Sequence, residues 1–268
     1  MRHLDLFSGI GGFSLGLERT GGFNTVAFCE VGGFQRQVLK KHWPNIKQYT
    51  DVKKLTYEQL KNDQITPVDI ITGGYPCQPF SVAGKQHGEQ DPRHLWPEMF
   101  RIIQECRPTW VIGENVSGHI KLGLDSVLQD LESANYSIRT FVISASGVGA
   151  NHQRQRTWVL GHSEHHGLST STQPGIVIKN GDHLAQRTNQ TTEPTRTSKS
   201  SGDVDVENSV PSCWRNWWES EPPVGRVADG ISGRVDRLKS LGNSLVPAIP
   251  YAIGLAILET LNPAATDD

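Results

Sequence analysis

The residue best suited to chemistry in this chain is Cys77. It sits in Gly73-Gly74-Tyr75-Pro76-Cys77-Gln78-Pro79-Phe80-Ser81-Val82-Ala83-Gly84, between two prolines and directly after Val68-Asp69-Ile70-Ile71-Thr72. Each proline fixes its own backbone and pushes the preceding residue toward extended geometry, so Tyr75 and Gln78 are restricted too. Gly73 and Gly74 permit angles closed to other residues. The pattern predicts a strand that stops and presents one thiol on a stiff turn. A cysteine kept for packing more often lies inside an apolar run, where it is inert. A second group, Glu114, follows Trp110-Val111-Ile112-Gly113 in Glu114-Asn115-Val116. Cys77 as nucleophile and Glu114 as proton donor suit covalent attack on an electron-poor carbon, the acid protonating a neighbouring ring atom.

Such groups need a scaffold, and residues 1–161 carry the pattern of one. Leu4-Asp5-Leu6-Phe7 reads as a strand running into Ser8-Gly9-Ile10-Gly11-Gly12, after which Phe13 and Leu17 begin a helical spacing. Strand, glycine turn and helix form the nucleotide-binding arrangement of a doubly wound sheet, although the spacing is not G-x-G-x-x-G. Thr25-Val26-Ala27-Phe28-Cys29-Glu30 reads as a second strand ending in an acid, where such folds hold ribose hydroxyls. A third strand ends near Asp51-Val52, the fourth leads to Cys77, and the fifth emerges at Glu114. Later strands are expected at 137–143 and 157–160. Helical periodicity joins Phe34, Val38, Leu39 and Trp43, then Leu95, Met99, Ile102, Ile103 and Cys106, then Leu124, Val127, Leu128 and Leu131. The alternation predicts an α/β fold with a doubly wound, mostly parallel sheet covered on both faces. Its loops would gather Gly9, Glu30, Asp51, Cys77 and Glu114 on one rim.

Composition sets outer limits. The 268 residues are 36% hydrophobic and 20% charged, ordinary for a globular chain. A formal net charge of -2 exerts no global pull on nucleic acid, so such a partner must be held by local patches. Cys29, Cys77, Cys106 and Cys213 show no paired spacing for zinc or a dithiol. The N-terminus lacks the apolar region of a signal peptide, and the apolar run 248–258, which contains Pro250, is too short to span a bilayer. The expectation is a cytoplasmic protein with no membrane and no metal.

The pattern changes at His162. Residues 162–212 are rich in Ser, Thr, Asn and Gln, and 169–205 reads as a partly disordered insert. Trp214, Trp217 and Trp218 restore anchors for a small core, and Arg226, Arg234, Arg237 and Lys239 offer charge to phosphates. After Ser240-Leu241-Gly242-Asn243-Ser244 and Pro247, the stripe Ile249, Ala252, Ile253, Ala256, Ile257 and Leu261 predicts a helix returning to the first domain. The expected organisation is a catalytic and cofactor-binding domain (1–161), a small inserted domain (162–239) and a returning segment (240–268).

Five stretches, in order and nearly end to end, resemble the motifs of the DNA (cytosine-5) methyltransferases. They are Asp5-Leu6-Phe7-Ser8-Gly9-Ile10-Gly11-Gly12-Phe13, Gly74-Tyr75-Pro76-Cys77-Gln78-Pro79-Phe80-Ser81, Glu114-Asn115-Val116, Arg154-Gln155-Arg156 and Gly242-Asn243-Ser244-Leu245-Val246-Pro247. The resemblance implies a Rossmann-like, S-adenosylmethionine-dependent enzyme whose inserted domain recognises a target in double-stranded DNA. It implies a monomer in a prokaryote or its virus, beside a restriction endonuclease for the same site. Cys77 would attack C6 of a flipped cytosine and Glu114 would protonate N3. C5 would then take the methyl, leaving S-adenosylhomocysteine. Arg154 and Arg156 would stabilise the pyrimidine carbonyl side.

By the same resemblance Phe7, Gly9, Gly11 and Gly12 line the cofactor site. Glu30 holds its ribose, Asp51 and Val52 its adenine, and Pro76, Leu95, Asn243 and Ser244 complete the pocket. Gln78, Ser81 and Ala83 would face DNA from a closing loop at 81–93, with Arg226 and Arg234 on phosphates. His152 stands where many members have glutamine. Other readings are an RNA cytosine-5 methyltransferase, a non-catalytic DNA-binding relative, and a thiol hydrolase pairing Cys77 with His87 or His94. The last leaves the glycine turn, Glu30 and Asn243 without a use.

Overall fold

The computed structural model describes residues 1–76, 95–121, 123–163 and 234–261. Within them lie seven strands: β1 (Arg2–Leu6), β2 (Asn24–Cys29), β3 (Lys47–Tyr49), β4 (Ile70–Gly73), β5 (Trp110–Val116), β6 (Tyr136–Ser144) and β7 (Gln155–Ser163). They form one sheet in the order β3-β2-β1-β4-β5-β7-β6. β1 to β5 pair in parallel, while β7 runs antiparallel to β5 and β6 on either side. This is the mostly parallel α/β sheet that the alternation predicts.

Parallel strands covered on both faces must be apolar almost throughout. β4 is buried along its whole length, and its alternation divides the core. Ile71 joins Leu6, Trp96, Met99, Val111 and Leu131 in one cluster. Ile70 joins Phe13, Leu17, Ile112, Trp158, Ile249 and Ile257 in another. The helices supplying the covers are α1 (Gly12–Glu18), α2 (Gly33–His42), α3 (Tyr57–Asn62), α4 (Trp96–Cys106), α5 (Leu124–Ser133), α6 (Arg234–Asn243) and α7 (Ala248–Leu261).

Three features depart from the sequence reading. β7 continues through Ser163, because His162 pairs with Trp110 and Ser137 in the ladder and its ring lies 4.4 Å from that of Trp110. The short α3 is set by its cap, the Thr56 side chain accepting from Gln59 N–H at 3.3 Å. Residues 240–243, which the sequence reading placed ahead of the last helix without giving them a structure, belong to α6.

The returning helix docks by close backbone approach. A side chain on Gly16 of α1 would collide with the Pro247 carbonyl and stand 2.7 Å from Pro250 Cγ. Gly254 of α7 faces Leu17, Thr20 and Phe23 across the same seam. By length and composition alone Ser240–Leu261 is apolar enough to cross a membrane, more than the run 248–258 suggests. In this fold α7 spends that apolar surface on α1.

Gly16→Ala should therefore destabilise the protein by about 1–3 kcal/mol, because a carbonyl cannot rotate aside as a side chain can. Gly33→Ala, where nothing lies within 4 Å, should be neutral to within about 0.5 kcal/mol. Urea denaturation of the two variants measures the contrast.

Candidate active site

β1 and β4 are neighbours, but the chain leaves them in opposite directions across the sheet, toward β2 and toward β5. A crevice opens beyond the strand ends at such a switch point. Beyond β1 the backbone enters left-handed geometry at Phe7 (φ 52), Gly9 (φ 54) and Gly11 (φ 87). Phe7 adopts it without being glycine, a strained conformation that its surroundings must hold. Gly73 at the end of β4 makes room for it: a Cβ there would stand 3.3 Å from Phe7 Cδ2 and 2.9 Å from Met99 Sδ.

The crevice is a cavity of about 660 Å³. Phe7, Gly9, Gly12, Glu30, Asp51, Val52, Pro76, Leu95, Asn243 and Ser244 all line it. Gly11 alone of the expected cofactor residues does not. A Cβ on Gly11 would come within 2.7 Å of Trp43, so this glycine serves the packing of α2. Ile10, Phe13 and Leu245 of the quoted motifs also line the cavity, as do Val31, Gln35, Lys53 and Ser240, to which the sequence reading gave no role there.

Glu30 stitches the rim together. Its Oε2 accepts from Gly9 N–H at 2.8 Å and its Oε1 from Gly32 N–H at 2.7 Å. Each carboxylate oxygen has a second lone pair for a ligand hydroxyl. The far wall comes from the C-terminal segment, pinned in three places. Gln35 Nε2 donates to Ser240 Oγ at 3.0 Å, Arg154 Nη2 donates to the Ser244 carbonyl at 2.9 Å, and Leu245 fills the space above Gly12.

Glu114 reaches the same cavity from β5. Its Oε1 lies 3.0 Å from Arg156 Nε on β7, with the two side chains 12% and 19% exposed. The antiparallel ladder brings them close, pairing Val116 with Arg156 and Glu114 with Trp158. Burial raises the Glu114 pKa, opposed by Arg156 and Arg154. Burial and then Arg156 lower the pKa of Arg154, while Glu114 raises it. Arg154 Nε is buried without a hydrogen-bond partner among the described residues. One carboxyl group beside two guanidinium groups can hold a proton and stabilise a developing negative charge in the same small space.

Asn115, next to Glu114, donates from Nδ2 to the Tyr75 carbonyl at 3.0 Å and accepts the Val116 N–H at 2.8 Å. It thereby holds the backbone that leads into Pro76 and Cys77. Cys77, Gln78, Ser81, Ala83 and Arg226 lie outside the described residues, as do the closing loop, His87, His94, the polar insert and the three tryptophans. Arg234 is the first residue of α6, and His152 is exposed ahead of β7. Among the described residues no group of three or more His, Cys, Asp or Glu is arranged to hold a metal.

Beneath the glycine turn runs a buried polar chain that sequence reasoning missed. His3 bridges Thr25 Oγ1 (3.3 Å) and Thr72 Oγ1 (2.8 Å), Thr72 donates to Asp5 Oδ1 (3.3 Å), and Ser14 donates to Asp5 Oδ2 (2.8 Å). Its signal was His3 and Asp5 alternating with Leu4 and Leu6, two polar residues on one face of a strand buried on both sides.

The model of the C-5 cytosine-specific DNA methylase family matches residues 1–223. Type II methyltransferase M.HgiCII of Herpetosiphon aurantiacus is 34% identical over 165 residues, covering 60% of this chain and 37% of its own length. Type II methyltransferase M.CviJI of Paramecium bursaria Chlorella virus IL3A is 36% identical over 163 residues, covering 59% and 42%. The chain thus spans less than half the length of these curated relatives. Among solved structures, a DNA modification methyltransferase encoded within an E. coli prophage matches with a TM-score of 0.54 and 29% identity, over 61% of this chain and 47% of its own. DNMT2 of Spodoptera frugiperda shares the fold, with a TM-score of 0.53 and 24% identity over 65% and 53%.

The buried chain makes stability depend on pH. Burial pushes the Asp5 carboxyl from 3.8 up to about 8 and lowers His3 from 6.5 to about 3. The Asp5 contribution is complete below its unfolded pKa and is lost as pH rises toward 8. The His3 contribution is gained as pH rises to 6.5. The two offset each other up to about pH 6.5, and above that only the loss from Asp5 remains. The denaturation midpoint should fall between about pH 6.5 and 8, and Asp5→Asn should abolish that fall.

Proposed function

Because the chain belongs to the C-5 cytosine-specific DNA methylase family, we propose that it transfers a methyl group from S-adenosylmethionine to C5 of a cytosine in a specific sequence of double-stranded DNA. The observation that carries this reading is that the glycine turn, Glu30 and Glu114 open on one cavity, together with Gly74 and Pro76 from the stretch that leads into Cys77. The cavity suits the donor. Phe7, Val52 and Leu95 offer apolar faces to a purine, Glu30 and Asp51 accept from hydroxyl and amino groups, and the acidic rim favours a cation. When bound, S-adenosylmethionine supplies an electrophilic methyl on a sulfonium.

The chain's own residues prepare the base to receive it. C6 of cytosine is inaccessible in the stack, so the base must leave the duplex at a cost of about a few kcal/mol. The Cys77 thiolate bonds to C6, and Glu114 delivers a proton to N3, so the electron pair gathers at C5 rather than on nitrogen. After C5 accepts the methyl, its proton leaves to water, the electron pair of that C–H bond expels the thiolate, and N3 returns its proton to Glu114, restoring the ring. Burial favours the protonated form of Glu114, and Arg156 fixes its orientation. With Arg154 it also sets a positive field that favours thiolate and carbonyl oxygen alike.

Residues 164–239, after the end of β7, are proposed as the recognition domain, with Gln78, Ser81, Ala83, Arg226 and Arg234 on the DNA. Likeness to Type II methyltransferases supports a Type II role, the methylated site being shielded from a restriction endonuclease of the same specificity.

Duplex DNA carrying 5-fluorocytosine should become covalently bound to the protein through Cys77, because fluorine at C5 cannot leave as a proton does. Cys77→Ser should abolish the adduct, and Glu114→Gln should lower kcat by about 10²–10⁴-fold while donor binding persists. Peptide mapping of the adduct and bisulfite sequencing of a methylated random library are the measurements. An adduct at another residue, or none, would overturn the reading.

A further inference from the structure

His119 lies in the 3-10 turn Ser117–Lys121 that continues from β5, and it is 2% exposed. Its Nε2 shares a hydrogen bond with Tyr75 Oη at 2.9 Å. Neither side chain has a part in the chemistry above. Tyr75 is nonetheless held on several sides. Asn115 grips its carbonyl at 3.0 Å, and Trp96 packs on its ring at 4.9 Å between centroids. Trp96 is in turn fixed by donating from Nε1 to Asp130 Oδ2 at 2.7 Å. On the remaining side Gly113 leaves only the space of a hydrogen, since a Cβ there would stand 3.2 Å from Tyr75 Cε1.

Packing alone would be met by phenylalanine. A buried phenol and a buried imidazole each cost free energy if left unpaired, so the pair has one satisfactory geometry. Tyr75 is followed by Pro76, whose ring fixes φ and passes the orientation of Tyr75 onward to Cys77 with one rotation fewer. His119 sits five residues beyond Glu114, on the continuation of its strand.

We propose that Tyr75 and His119 are positioning residues, a side-chain clamp that locks the turn carrying the nucleophile to the strand carrying the acid. Asn115 fixes the backbone end of Tyr75 and His119 fixes the phenol end, so the chain enters Pro76 in one register against the strand of Glu114. The clamp rests on the methyl-transfer reading. A misplacement of about one ångström in a reacting atom costs on the order of 10²-fold in rate.

Single-turnover trapping by 5-fluorocytosine DNA tests it, alongside calorimetric binding of S-adenosylmethionine. Tyr75→Phe should slow trapping and kcat by about 10–100-fold while the donor Kd changes by less than about twofold. His119→Gln, whose amide can reach the position of Nε2, should retain most of the rate. The double variant Tyr75→Phe/His119→Leu removes both ends of this hydrogen bond, so its melting temperature should lie above that of Tyr75→Phe while its trapping stays slow. Wild-type speed in Tyr75→Phe, or in the double variant, would overturn the clamp alone. No trapping by the wild-type protein would overturn the methyl-transfer reading and the clamp with it.

Discussion

The Pro247 carbonyl lies against Gly16 so closely that no side chain fits between them, and the cavity takes its shape from that contact. The glycine turn forms near the N-terminus, but the wall facing it is made by Asn243, Ser244 and Leu245. Joining segments so far apart in sequence costs loop-closure entropy that local structure cannot repay. The repayment comes from burying α7 on α1, where Ile249 and Ile257 join Phe13, Leu17 and Trp158 in one cluster. A pocket completed from both ends of the chain therefore forms only when the whole sheet and its covers are in place.

Electrostatics at the site follow from the same arrangement. Glu114 is taken out of water by β7 and then set beside the two arginines that β7 and the preceding loop carry. Desolvation and ion pairing pull its proton affinity in opposite directions, which leaves a group able to hold or release a proton as charge develops nearby. Arg154 adds a link of another kind. Its Nη2 holds Ser244 of the far wall while its charge acts on Glu114, so one residue belongs to both halves of the cavity.

Polar groups beneath the turn are buried at a cost that hydrogen bonding has to offset. Thr25 stands opposite His3 and Thr72 opposite Asp5 in the strand registers, with Ser14 closing the chain from α1. A slip of one residue in either pairing would leave unpaired donors in an apolar core, at about 1–3 kcal/mol each. The chain of hydroxyl, imidazole and carboxyl groups thus selects the register on which the positions of Phe7, Gly9 and Gly73 depend.

The sequence by itself determined the alternation of strands and helices, the acid closing β2, the glycines of the turn and the end of β4 at Gly73, because these are local. Each follows from apolar period, from proline and glycine geometry, or from a motif within a dozen residues. The meeting of Gly9, Glu30, Asp51 and Glu114 was legible from the strand ends, the other cavity residues, from Phe7 to Ser244, only through motif resemblance, and the sheet order not at all. Gly11 shows the limit of that route: it carries the motif, yet its left-handed backbone and its contact with Trp43 serve packing. Tertiary structure alone decided the pairing of Glu114 with Arg156, the bond between Tyr75 and His119, the polar chain under β1, and the helix over 234–243. Those depend on register between strands and on contacts across many tens of residues, where single-residue preferences are weak and the free energy belongs to the assembled core.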